Sequence, residues 1–420
     1  MVLQRIVSCQ RILLFLSLIG ICCNINAQRN EIFNENISSL QVVGGTKWTT
    51  IPIINLNGNE KINISFDELS HEYHRYSYSI QHLEADWSES ENIFGADYIN
   101  GFSSDNIIDN IDESFNTIEL YTHYSISLPN DRCQFKMSGN YCVTVFDEDN
   151  NNDLILKAYF MIVEPLVNIN MSVYTNTDVD INNCHQQVDM NVNFSNISVS
   201  EPKKQIKTVL LQNGRWDNAR INITPQSITT DGLKWFHCHD FIFDAGNEYH
   251  KFEALDETHT TMGLESVNWD GKEYHAWTWT DEPRPNYVYD ESANGSFYIR
   301  NSDNNDNDIT TEYVLVHFRL KSPIISNDIF INGAWTQDSF DNRYKMNYNE
   351  VNKQYETEIK LKQGYYSYQY LMLNNDGTTS FVPSEGNFFQ TENQYQSLVY
   401  YRGNSDRTDR LIGFNEIDYK

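Results

Sequence analysis

Apolar residues recur at every second position along almost the whole chain, and a period of two buries one face only if the segment is a β-strand. Ile62, Ile64 and Phe66 alternate with Lys61, Asn63 and Ser65. Tyr355, Thr357, Ile359 and Leu361 alternate with Glu356, Glu358, Lys360 and Lys362, the pattern of a half-buried strand with a charged outer face. In the run 313–318 both alternating sets (Tyr313, Leu315, His317 and Val314, Val316, Phe318) are mostly apolar, which predicts a strand buried on both faces. Turn residues such as Asn57-Gly58-Asn59 and Ser138-Gly139-Asn140 separate the runs. No capped amphipathic pattern extends beyond two helical turns. Many short strands with frequent turn signals predict an all-β chain of antiparallel sandwiches, not a parallel sheet.

A length of 420 residues fits two to three domains at roughly 150 residues each. Two prolines place the divisions. Pro165 closes the apolar run 160–163, and Pro323 follows the strand pattern 313–320, so three consecutive sandwiches are expected at 28–164, 166–321 and 323–420. The tracts 147–153 and 301–308 read as solvated loops. Lys and Arg number 30 against 58 Asp and Glu, a formal net charge of −28. Binding to a phosphate backbone needs the opposite balance, so a nucleic-acid partner is not expected. The chain is no disordered acidic tail, because 26 Tyr and 22 Phe supply core.

The N-terminus reads as an export signal. Arg5 and Arg11 precede an apolar run from Ile12 to Cys23, and short residues follow up to Ala27. Cleavage is expected between Ala27 and Gln28, in the form of an ordinary signal peptide without an acyl group, which predicts a periplasmic location. The segment 1–27 carries two arginines and no acid, so the cleaved chain has a net charge of −30. It also removes three of seven cysteines, leaving Cys133, Cys142, Cys184 and Cys238. Cys133 and Cys142 flank a turn and fit either a cross-hairpin disulfide or two isolated buried thiols.

Catalytic patterns are lacking in the sequence: there is no G-x-S-x-G elbow, dinucleotide fingerprint or phosphate loop. His71-Glu72-Tyr73-His74 has its second histidine one residue early for a zincin box. His237-Cys238-His239 places two imidazoles on one face of a strand, half a zinc site without an identifiable third ligand. The acidic tract from Asp147 to Asp153 lacks the glycine and the bidentate glutamate of a calcium loop. No enzyme activity, cofactor or metal is expected.

A series of segments resembles the type IX secretion system plug proteins of Bacteroidota. They are Ile64-Ser65-Phe66-Asp67-Glu68-Leu69, Ala85-Asp86-Trp87-Ser88, Ser114-Phe115-Asn116-Thr117, Tyr121-Thr122-His123-Tyr124, Leu128-Pro129-Asn130 and Ser138-Gly139-Asn140-Tyr141. Further along come Gln212-Asn213-Gly214-Arg215-Trp216-Asp217, Ala245-Gly246-Asn247-Glu248, Leu361-Lys362-Gln363-Gly364-Tyr365-Tyr366, Gln390-Thr391-Glu392-Asn393 and Asp409-Arg410-Leu411-Ile412-Gly413. Two departures are local: Cys142 replaces an aliphatic residue, and Tyr249-His250-Lys251 replaces an arginine-rich end. The resemblance implies immunoglobulin-like sandwiches and a non-catalytic periplasmic protein. It further implies binding at the inner mouth of the outer-membrane translocon barrel, which the protein seals when no secretion partner is bound.

Read on their own chemistry, Tyr121, His123 and Tyr124 are core packing, and Asn213-Gly214 is a type I′ turn whose two residues need φ > 0. Arg215 and Trp216 just beyond that turn are the candidate partner-binding residues, since Arg and Trp dominate interface hot spots. The last domain also resembles early-set, glycogen-binding sandwich modules through Asp328–Gly333, Met346 and Leu361-x-x-Gly364-Tyr365-x-x-Tyr368. Trp335 stands in the expected sugar-platform loop, but Asp338 replaces the second tryptophan. A carbohydrate-binding accessory, using Trp277, Trp279 and Trp335, is therefore the alternative function. It requires an exposed row of coplanar rings.

Overall fold

In a computed structural model, which describes residues 29–420, the alternating segments become strands of seven sheets. The leader segment and its cleavage site lie outside the described residues. Among these residues the α-helices are single turns of four residues.

The first sandwich packs a sheet of the strands Ile37–Gly44, Ile62–Glu68, Thr122–Leu128 and Asn110–Glu113 against one built on Tyr76–Leu83, Gly139–Asp147 and Asp153–Val163. Ile62, Ile64 and Phe66 point into the shared core, facing Tyr76, Val143, Val145 and Phe160, as their spacing predicts. Cys133 and Cys142 are free thiols, both buried and on strands of different sheets, so the cross-hairpin disulfide is not formed. The Asp147–Asp153 tract is a turn, in which Asp147 Oδ1 accepts the Asp149 N–H at 3.0 Å.

The second and third sandwiches depart from the expected succession. Ile206–Gln212 pairs along its whole length with Asn393–Tyr401, which in turn pairs with Arg410–Tyr419. These strands face Asn168–Tyr174, His185–Asn193 and Gly232–Trp235 across a core of Val188, Met190, Trp235, Leu210, Tyr395 and Val399. The middle sandwich is thus made of two chain segments, about 166–245 and 390–420, and the third, about 246–389, is inserted into it. The boundary expected at Pro323 is corrected accordingly: the proline ends Tyr313–Leu320, which lies in one sheet with Leu264–Trp269, Tyr274–Thr278, Gln354–Lys362 and Asn347–Asn349. A proline marks the end of a strand equally well at a turn inside a sandwich. The strand Tyr313–Leu320 is also buried differently than expected. Val314, Val316, Phe318 and Leu320 are in the core, while Leu315, His317 and Arg319 are half-buried on the outer face.

Buried polar groups tie the first sandwich to the inserted one. Lys362 Nζ donates to Asp67 Oδ2 at 2.7 Å, the Tyr313 hydroxyl donates to the same oxygen at 2.6 Å, and His123 Nδ1 lies 2.6 Å from Asp67 Oδ1. Burial by itself raises the Asp67 carboxyl, but Lys362 and His123 outweigh it and hold the group below the usual carboxylate range. The Lys362 ammonium also sits 4.1 Å from the centroid of the Tyr121 ring.

Removing one partner of a buried pair strands the other charge, at a cost of roughly 3–5 kcal/mol. Lys362→Met should therefore lower the urea midpoint of unfolding strongly. The double variant Asp67→Asn/Lys362→Met should recover much of the loss. Equal midpoints for the single and double variants would remove the ion pair from the account.

Candidate partner-binding surface

The hairpin that carries Arg215 and Trp216 forms as its sequence requires. Gln212 pairs with Arg215 across a two-residue loop, and Asn213 and Gly214 have φ of 55° and 70°. Its location does not match the partner-binding role. Arg215 and Trp216 are 6% and 7% exposed, enclosed at the junction of all three sandwiches. Arg215 makes a fork to Asp217, with Nε–Oδ1 3.0 Å and Nη2–Oδ2 2.6 Å, and reaches Thr379 Oγ1 and the Phe381 ring of the inserted sandwich. Trp216 packs edge-on against Trp87 of the first sandwich, with ring centroids 5.2 Å apart. The assignment of these two residues to a partner surface is therefore corrected: they clamp the three sandwiches together. Asp338, also at this junction, is pushed up to about 6 by burial and by the Asp217 charge. A cavity of about 150 Å³ lies here, lined by Arg215, Trp216, Tyr249 and Asp338 among others.

A second buried ionic centre lies in the inserted sandwich. His250 Nδ1 is 2.9 Å from Asp281 Oδ1, and His250 Nε2 is 2.6 Å from Glu385 Oε2. Burial would lower the imidazolium, but Asp281 and Glu385 overcome it and lift the group to about 9. His250 thus supplies a buried cation between two carboxylates.

The sugar platform is absent at its expected place. Trp335 is 6% exposed, and its indole N–H donates to the Ser367 carbonyl at 3.0 Å. Trp277 is stacked on His317 at 3.7 Å, and only Trp279 of the three projects freely. The imidazoles of His237-Cys238-His239 do not converge on a third ligand: His237 and His239 are exposed, Cys238 is buried, and His237 Nδ1 meets Asp178 Oδ1 at 2.9 Å. His74 meets Asp147, and His71 faces the Tyr121 carbonyl.

One surface that presents several apolar groups within a short segment is the loop 114–121 of the first sandwich. Phe115, Ile118 and Leu120 are 70%, 53% and 48% exposed, within one connection between two strands. The backbone beneath them is fixed by the inserted sandwich. The Phe115 N–H donates to the Ile309 carbonyl at 2.8 Å, the Tyr121 hydroxyl donates to the Thr311 carbonyl at 2.9 Å, and the Glu312 carboxylate accepts the N–H groups of Ile118 and Glu119. Lys360 adds an ion pair to Glu119 at 3.1 Å. Asn116 takes φ of 62°, which asparagine tolerates well. Sequence reading missed these residues as a site, although Phe115 falls inside one of the segments that resemble the plug family. The available signal was three large apolar residues off the strand period in an Asn/Ser/Thr-rich connection.

Three sandwiches locked by buried charges, with an apolar loop held rigidly toward solvent, describe a rigid multi-sandwich protein. No helix among the described residues is long and apolar enough to cross a membrane. Residues 37–164 match the model of the type 9 secretion system plug protein first domain. A crystal structure of a hypothetical protein from Parabacteroides merdae is 38% identical with a TM-score of 0.89, covering 93% of this chain and 99% of that one. A crystal structure of a collagen adhesin from S. aureus aligns at 8% identity with a TM-score of 0.11, covering 91% of this chain and 94% of that one. No curated protein matches the chain. The chain belongs to the type IX secretion system plug protein family, which is non-enzymatic in kind.

Trp216→Ala should cost about 3–5 kcal/mol by cavity formation, and Arg215→Ala a comparable amount by isolating Asp217. Thermal unfolding reads both; a melting temperature within a degree of the parent protein would return the residues to the surface. The His250 cation predicts a pH dependence. Its folded-state value lies above the unfolded value of about 6.5, so its stabilisation is complete below pH 6.5 and fades as pH rises through about 9. Urea unfolding from pH 6 to 10 should show a decline on the order of 3 kcal/mol that His250→Gln largely abolishes.

Proposed function

We propose that this protein is exported through an ordinary signal peptide to the periplasm, docks on the periplasmic mouth of the type IX outer-membrane translocon barrel and seals it when no secretion partner is bound. The observation that carries this reading is the loop 114–121, which presents Phe115, Ile118 and Leu120 from the domain that matches the plug family. A stopper must resist deformation and bind without chemistry. The buried pairs Asp67–Lys362 and Arg215–Asp217 meet the first demand, and the fixed loop meets the second by lowering the ordering cost of association. The acidic surface keeps the unbound protein soluble and repels like-charged neighbours.

Deleting the protein should leave the outer membrane leaky to large hydrophilic molecules while reducing secretion far less, and the protein should co-purify with the barrel from detergent-solubilised membranes. Phe115→Ser/Ile118→Ser/Leu120→Ser should weaken that complex at least tenfold with a melting temperature close to that of the parent. A complex of undiminished affinity would exclude the loop, and an unaltered permeability barrier in the deletion strain would exclude sealing. Intact mass of the periplasmic form tests the leader: a chain beginning at Gln28 is expected, and a lipid-modified Cys22 or Cys23 would overturn it.

A further inference from the structure

The edge of the middle sandwich holds three different metal-binding side chains at one point. Asp180, Cys184 and His185 bring Oδ2, Sγ and Nδ1 together, all within 4.8 Å of one another, the one such grouping of three among the described residues. Sγ is 3.4 Å from both Nδ1 and Oδ2, and Nδ1 is 2.7 Å from Oδ2. A tetrahedral zinc ion with bonds of about 2.0–2.1 Å to nitrogen and oxygen and about 2.3 Å to sulfur separates its ligands by about 3.3 to 3.6 Å. The two sulfur separations match that frame, and the third reaches it by a side-chain movement of about half an ångström.

The surroundings follow the same plan. His185 opens the strand His185–Asn193 and is paired in register with Asp244 of Ile242–Asp244. Its Nε2, the nitrogen left free by ligation through Nδ1, lies 3.4 Å from Asp244 Oδ1. A carboxylate on the second ring nitrogen fixes the tautomer and orientation of a ligating imidazole. Asp244 is itself held by a hydrogen bond at 2.8 Å from the Asn387 amide. Asp180 is positioned by the Thr177 hydroxyl, which donates to Oδ1 at 3.1 Å, within a loop closed by the bridge between Asn176 and Ile181. The side chains of Asp180 and His185 are 15% and 29% exposed, leaving a path for an ion and for water.

We propose that Asp180, Cys184 and His185 form a binding site for a zinc-class divalent cation, with water as the fourth ligand. The ligand set combines a thiolate, an imidazole and a carboxylate, which suits zinc over magnesium or calcium. On binding, the Cys184 thiol loses its proton to solvent and sulfur takes up the metal, so one proton is released per ion from this group. The ion cross-links the 175–184 loop to the first residue of a core strand, and thereby fixes a loop that exposes Val179 and Ile181.

Cobalt(II) is the probe, added to metal-stripped full-length mature protein. One equivalent should produce a thiolate-to-cobalt charge-transfer band and tetrahedral d–d bands, both removed by competing zinc. Zinc should raise the melting temperature in a concentration-dependent way. Cys184→Ser and Asp180→Asn should lower affinity at least 100-fold, and Asp244→Asn by about 10–100-fold through loss of imidazole orientation. His237→Ala, an exposed neighbour outside the ligand set, should bind as the parent does. In the unsubstituted protein, zinc should also shield Cys184 from alkylation, a readout that depends on no variant's folding. The absence of a charge-transfer band, full affinity in Cys184→Ser, or undiminished alkylation with zinc present would each overturn the site and leave a local Asp180–His185 hydrogen bond.

Discussion

The ladder between Ile206–Gln212 and Asn393–Tyr401 is the constraint on which the rest of the molecule depends. It closes the middle sandwich only after the chain has built the whole inserted sandwich, so the core around Tyr395 and Val399 forms last in sequence and at long range. Loop-closure entropy grows only slowly with length, and a folded insertion with adjacent ends adds little to that cost. The ends are adjacent here. Gly246 leaves the middle sandwich and Thr391 returns to it, with the Thr391 hydroxyl donating to the Gly246 carbonyl at 2.9 Å. Gly246 has φ of 68°, and a Cβ there would meet Phe381 Cζ at 2.6 Å, so the crossing admits no side chain.

With that frame closed, charge decides how the sandwiches are set against each other. An apolar interface tolerates sliding and rotation, whereas a buried carboxylate is satisfied in one registry only. Each junction has such a group. Asp67 receives Lys362, Tyr313 and His123 between the first and inserted sandwiches. Asp409 receives Lys207 at 2.7 Å and the Ala85 N–H at 3.0 Å between the middle and first. Arg215 spans the middle and inserted ones through Asp217 and Thr379. The dispersion and burial energy come from neighbours such as Met161, Val163, Leu398 and Leu411; the ionic groups choose the arrangement.

This division explains which features were legible in the sequence. The strand period predicted the inward faces of Ile62, Ile64 and Phe66 because burial of alternate residues is a local property. The Asn213-Gly214 turn was legible for the same reason, since its φ values constrain residue type directly. Domain order was not, because Pro323 reports only that a strand ends and nothing about which sheet receives the next one. Arg215 and Trp216 were misplaced by a sound local argument, as hairpin ends usually lie at the surface; this hairpin points into a three-way junction. The segments that resemble the plug family themselves carried the missing information. The Ala85–Ser88 segment meets Asp409, the Phe66–Glu68 segment meets Lys362, and the Ala245–Glu248 segment meets Thr391 and Glu392. Read as pairs, they are the seams of the molecule.

Rigidity at the seams has a consequence at the surface. The loop that exposes Phe115, Ile118 and Leu120 belongs to the first sandwich, yet Glu312, Thr311 and Ile309 of the inserted one hold its backbone. Those residues stand directly before Tyr313, which donates to Asp67 at the buried centre. The apolar surface and the ionic lock are therefore successive parts of one contact. Loosening the lock frees the loop, and a freed loop must lose that conformational freedom again on association, at about 1–2 kcal/mol per backbone residue ordered. The proposed docking surface has only three apolar side chains, and so little energy to lose in this way. Hence the buried charges, which contribute modestly to net stability, set the conformational freedom of that loop, with Lys362 against the Tyr121 ring as their point of contact.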